Sequence, residues 1–234
     1  MSGTESPNGF MQLKKRGYRF HVFISWPHMI QEAGRKVIEQ LAASLQDKLR
    51  DYNGGEVFLD LKRIEPGNLW DPQLRGSLCR SCFTIYILVP SFFESDYCRT
   101  EWQITEHLQG SRLPDDRPEL TCMLPVLLKD GIALPEQIKP IQCDRSLIKM
   151  LTYTDDLKSL REWNEAMDAM VKHIEKTFSE MCRLSETCQD WIEDEAYAAA
   201  AGPKVFTWPK SQQLPAAPRR PRTLPLPVTS GSKL

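Results

Sequence analysis

The chain has 234 residues, 41% of them hydrophobic, enough for one domain of ordinary size with extensions and too much for a peptide hormone or a bare linker. Its 30 Lys and Arg against 31 Asp and Glu leave a formal net charge of −1, so no overall field draws it to nucleic acid or to an anionic membrane. That balance is uneven along the chain, because no acidic residue follows Glu195 whereas Lys204, Lys210, Arg219, Arg220, Arg222 and Lys233 do.

Met1 to Lys15 is polar and then basic, with no apolar leader, and residues 1–17 read as an N-terminal extension. From Tyr18 the chain alternates short β-branched or aromatic runs with helical periods, the pattern of an α/β domain with a parallel sheet. Strands are expected at His21–Ser25, Glu56–Asp60, Phe83–Val89 and Thr121–Leu128, with a weaker fifth between Ile141 and Tyr153. Ile38, Leu41, Leu45 and Leu49 recur at helical spacing in a first helix that Asn53-Gly54-Gly55 ends. Further helices are expected at Pro72–Cys82, Phe92–Leu108 and Asp156–Leu184, the last carrying Leu160, Trp163, Met167, Met170, Val171, Ile174 and Phe178 on one face. The Phe83–Val89 run is apolar on both faces and reads as a central strand covered on each side. The expected fold is therefore a flavodoxin-like five-stranded parallel sheet of order 2-1-3-4-5 with helices on both faces. Its ligand crevice would open at the carboxyl ends of strands 1 and 3, beyond Ser25 and Val89.

Residues 18–184 form the expected domain and 185–202 a helical extension. Residues 203–234, with seven of the 17 prolines and no acids, read as a disordered basic tail. Pro215-Ala-Ala-Pro218-Arg-Arg220 fits a Pro-x-x-Pro-x-basic ligand, although a solubilising tail, or one docking on its own acidic domain, is the plainer reading. Seven cysteines, an odd number, predict reduced thiols in a cytoplasmic protein. Cys79-x-x-Cys82 has no second pair at ligand spacing, so no metal site is expected. His28, just past strand 1, could line the crevice, although a surface histidine is the plainer reading. No Gly-x-Gly-x-x-Gly, Walker loop or Ser-His-Asp signature is present, which removes support for hydride transfer and NTP hydrolysis.

Strand 1 ends in Phe23-Ile24-Ser25-Trp26, strand 2 leads into Asp60-Leu61-Lys62-Arg63-Ile64-Glu65-Pro66-Gly67, and strand 3 leads into Pro90-Ser91-Phe92-Phe93-Glu94-Ser95-Asp96-Tyr97-Cys98-Arg99-Thr100-Glu101. In order and spacing these three boxes resemble the Toll/interleukin-1 receptor (TIR) domain over about residues 18–180. The enzymatic members of that family cleave the nicotinamide–ribose bond of NAD+ with a single glutamate, which the resemblance places at Glu101. It also assigns Ser25, Trp26 and Tyr97 to substrate binding, although Tyr97 departs from the commoner tryptophan and Trp26 from the commoner tyrosine. Lys62 and Arg63 would meet the pyrophosphate, and Ile64, Glu65, Pro66 and Gly67 would form an assembly loop. NAD+ is then substrate, with no resident cofactor, and the expected partners are further TIR domains, including copies of this chain. The residues point the same way independently. Tyr97, Ile104, Thr105 and Leu108 share one stripe of a helix with Glu101 in its middle, and a carboxylate in such a stripe needs a partner or a task. Three readings stay open: an NAD+ nucleosidase activated by self-assembly in immune or cell-death signalling, a non-enzymatic signalling adaptor in which Glu101 pairs with a basic residue, or a nucleotide-binding sensor without turnover.

Overall fold

The computed structural model describes residues 9–15, 17–53, 55–59, 72–113, 119–136, 138–152 and 156–184. The order is α1 (Gly9–Lys15), β1 (Phe20–Ser25), α2 (Glu32–Asn53), β2 (Val57–Leu59), α3 (Pro72–Cys79), β3 (Ser81–Leu88), α4 (Pro90–Glu94), α5 (Asp96–Arg112), β4 (Met123–Leu127) and α6 (Arg161–Leu184), with 3-10 turns at Ile148–Thr152 and Leu157–Ser159. The strands pair in the order β2-β1-β3-β4, all parallel. Register joins Phe23 to Thr84 and Ser25 to Tyr86, which brings the carboxyl ends of the two central strands level.

The sheet has four strands among the described residues where five were expected. At the fifth position only a parallel bridge forms, Val126 to Asp144, in which the Leu127 N–H donates to the Asp144 carbonyl at 2.8 Å. The cause is local: the Asp144 carboxylate accepts from the Ser146 N–H at 2.7 Å and from its hydroxyl at 2.5 Å. Those bonds turn the backbone away before a ladder can propagate.

Side chains alternate across the pleat and set the layers. Val22 and Ile24 join Leu13 of α1, Ile38, Leu41 and Leu45 of α2, and Met170 and Ile174 of α6 in one buried cluster. Phe23 faces the other way, with Leu74 and Leu78 of α3 and Ile104 and Leu108 of α5. The expected seven-residue face of the last helix is realised, since Trp163, Met167, Met170, Val171, Ile174 and Phe178 are buried and Leu160 packs against them from the preceding turn. Trp163 donates its indole N–H to the Ser44 hydroxyl at 3.1 Å, which fixes α6 on α2. Within the N-terminal 17 residues, α1 anchors itself by Leu13, which is fully buried.

The helix expected over Phe92–Leu108 is two helices. Ser95 lies between them in an extended conformation (φ −83°, ψ 112°), and its hydroxyl accepts the Cys98 N–H at 3.2 Å. It thereby caps α5 and frees that helix to take its own direction across the sheet. At the far end of α5, the buried Arg112 donates to the carbonyls of Ser81 at 2.9 Å and Cys79 at 2.7 Å and lies over the Tyr18 ring. That guanidinium ties α5 to the turn between α3 and β3.

Candidate active site

The helix cap at Ser95 aims the first turns of α5 at the carboxyl end of β1. Ser25, the last residue of β1, and Glu101, in the second turn of α5, are each 1% exposed, and the Ser25 hydroxyl donates to Glu101 Oε2. A buried carboxylate is costly without a donor, and this bond supplies one. The main chain of Glu101 is fixed as well, because its carbonyl accepts from the Tyr86 hydroxyl at 3.2 Å and the Thr105 hydroxyl at 3.1 Å. Thr84 completes the polar line, 3.5 Å from Thr105 between hydroxyl oxygens.

Around this line the walls are aromatic. Tyr86 packs against Trp102 with ring centroids 4.7 Å apart and meets Phe92 edge-on at 6.0 Å. Burial, reinforced by the neighbouring Glu101 charge, pushes the Tyr86 hydroxyl well above its ordinary pKa, so it stays a proton donor. The same two causes push the Cys98 thiol up, one turn before Glu101. A thiol held protonated in this way is a packing group and not a nucleophile. Among the described residues no cluster of three or more His, Cys, Asp or Glu could hold a metal, and no helix is long and apolar enough to cross a membrane.

Of the residues singled out from the sequence, Ser25, Trp26, Tyr97 and Glu101 come together at the carboxyl edge of β1 and β3. Ser25 bonds to Glu101 itself, which makes it the group that orients the carboxylate. Lys62, Arg63, Ile64, Glu65, Pro66 and Gly67 lie outside the described residues, as do the helical extension 185–202 and the tail 203–234. Two residues beside Glu101 escaped the sequence reading. Tyr86 was taken for part of an apolar strand, yet it is the one phenol in that run and pairs with Ser25 across the ladder. Trp102 is fully buried against it. His28, whose plainer reading was a surface residue, is half-buried, its ring 4.7 Å from that of Trp26 and 6.1 Å from that of Tyr97.

The hydroxyl-oriented glutamate and its aromatic neighbours thus lie at the carboxyl edge of a parallel α/β sheet, where doubly wound folds place their ligands. Residues 22–170, more than half of the chain, match the family model of the TIR domain, and the chain belongs to that family. A comparison with curated proteins finds no match. Among solved structures the chain is similar to one titled as the activated Roq1 resistosome directly recognizing the pathogen effector XopQ, in its TIR domains. The identity is 16%, over 71% of this chain and 86% of that one, with a TM-score of 0.36.

Proposed function

We propose that this TIR domain cleaves NAD+ at the nicotinamide–ribose bond, with Glu101 as the catalytic carboxylate. The observation that carries the reading is the Ser25–Glu101 pair: a buried carboxylate oriented by a hydroxyl and set beside aromatic rings at the crevice a doubly wound sheet uses for ligands. The chemistry needs one carboxylate where ordinary glycosidases need two. Nicotinamide is bound in NAD+ as a pyridinium, so it departs as a neutral molecule and takes no proton. The ribose is left as a developing oxocarbenium ion, and an anion fixed beside it stabilises that charge without reorganising. Ser25 and Tyr86 hold side chain and main chain of Glu101 in place, and Trp26 and Tyr97 offer flat faces to the leaving ring. Water attacking the oxocarbenium gives ADP-ribose; a nucleophile from the same molecule gives a cyclic variant.

Activation by self-assembly belongs to this reading, with Leu61–Asp71 of one copy completing the site of the next and the product acting in immune or cell-death signalling. A dilute, demonstrably monomeric sample turning over at full specific activity would remove that part. The competing reading is a non-enzymatic signalling adaptor acting through TIR–TIR contacts, and the 1% exposure of Glu101 favours it, because a carboxylate so covered also serves to tie β1 to α5. Chromatography of the concentrated protein incubated with NAD+, beside Glu101→Ala, separates the two. Free nicotinamide from the parent alone supports the enzyme, and none from either, even under crowding, supports the adaptor.

A further inference from the structure

Trp26 is the natural platform for a substrate ring, yet it is only 5% exposed, and the group packed on it is the His28 imidazole, 4.7 Å away and tilted by 32°. The imidazole also reaches Tyr97 of α5 at 6.1 Å, so it bridges from the end of β1 to the helix that carries Glu101. The backbone beneath it is held firmly. The Ile30 N–H donates to the Pro27 carbonyl at 3.1 Å, closing a turn with His28 and Met29 at its corners. From behind, Ile30 fills the space at Gly34, where an added Cβ would lie 2.6 Å from the Ile30 Cδ1. His28 points into the aromatic wall while Met29, at the other corner, is 87% exposed.

Resting on the NAD+ reading above, we infer that His28 occupies the place of the nicotinamide ring between Trp26 and Tyr97, and that the substrate enters by displacing it. The movement is a side-chain rotation on a fixed turn, fast and small. A pyridinium is broader than an imidazole and carries a positive charge that an indole face attracts, so it wins the exchange. The cost of expelling His28 is part of the apparent affinity, as for any site populated by an internal competitor.

The test is isothermal titration of the full chain with the ring-N-methylated nicotinamide cation, a pyridinium with no ribose to lose, for the parent, His28→Ala and His28→Trp, each first shown by thermal unfolding to be folded. His28→Ala vacates the place and is expected to tighten binding roughly two- to tenfold, the range of one ring contact. His28→Trp fills it with a larger ring and is expected to weaken binding. The opposite signs separate this role from a general loosening of the site, which weakens both. Binding by the parent that is unchanged or weaker in His28→Ala, or tighter in His28→Trp, overturns the inference and leaves the NAD+ reading intact. No binding by the parent with binding by His28→Ala supports it strongly; no binding by any of the three overturns the inference, and the NAD+ reading falls with it only if the parent also releases no nicotinamide from NAD+.

Discussion

The two faces of the same sheet differ in how they bury their polar groups. Towards α2 and α6, Val22, Ile24, Phe83, Ile85, Ile87 and Val126 are all buried hydrocarbon, with Phe83 meeting the His173 ring of α6 edge-on at 5.6 Å. Towards α5, beside the apolar cluster of Phe23, Ile104 and Leu108, the same strands present Ser25, Thr84 and Tyr86, and the helix answers with Glu101 and Thr105, all buried. A buried hydrocarbon contact contributes in proportion to area, whereas a buried hydroxyl–carboxylate line at best breaks even with an apolar core of the same shape. The hydrocarbon contacts of both faces are therefore where the domain gains its stability, and the polar line on the α5 side is retained for something else.

Substitutions on the two faces sharpen that contrast. The largest effect is expected from Phe83→Ala, which empties a fully buried site on the α6 side and should lower unfolding free energy by about 3–5 kcal/mol in urea titration. Activity should then fall only with the folded fraction. Gly55→Ala comes next, at about 1–3 kcal/mol. A Cβ there would lie 2.3 Å from the His21 ring, and that ring cannot yield freely, since its Nδ1 accepts the Glu56 N–H at 3.2 Å and it packs on Phe178.

Acid provides a third probe of the α6 side. Burial, and secondarily the charge of Lys14, hold His21 down to about 3 from an ordinary 6.5, and burial lowers His173 as well, helped by Lys176. Unfolded histidine takes up a proton below about 6.5 while native His21 resists until about 3. Stability is therefore full above pH 6.5 and drains as pH falls through that window, by up to about 1.4 kcal/mol per pH unit for one group. His21→Asn, which keeps an acceptor for the Glu56 N–H, should flatten the profile of unfolding free energy between about pH 6 and 4.5. A variant as acid-sensitive as the parent would assign the slope elsewhere. Ser25→Ala on the α5 side takes the donor from a buried carboxylate and is expected to cost about 1–3 kcal/mol while leaving the domain folded. Its nicotinamide release should nevertheless fall about a hundredfold, because an unoriented carboxylate loses its position at the ribose.

How much of this was legible in the sequence depended on the kind of signal. Period-2 and period-3.6 patterns gave four strands and the α2 and α6 helices to within a few residues, because hydrophobic alternation is what the core reads. The stripe containing Glu101 pointed to its burial, since a carboxylate among Tyr97, Ile104 and Leu108 has nowhere else to face. Single hydrogen bonds were harder to see. The break at Ser95 rests on one hydroxyl capping Cys98, for which a serine three residues before the cysteine was the available cue. The failure of the fifth strand rests on Asp144 capturing Ser146. Tyr86 and His28 act through partners 15 and 69 positions away, Glu101 and Tyr97, and no local pattern records such pairings.

Glu101→Gln tests the central claim most directly, because glutamine keeps the shape and can still accept from Ser25 while removing the negative charge. Unfolding free energy and nicotinamide release from NAD+ are measured on the same preparations of parent and variant. The account predicts stability within about 1 kcal/mol of the parent together with loss of release. Release undiminished in the folded variant, or a large loss of stability with no turnover by the parent, would contradict it and leave Glu101 as a structural tie between β1 and α5.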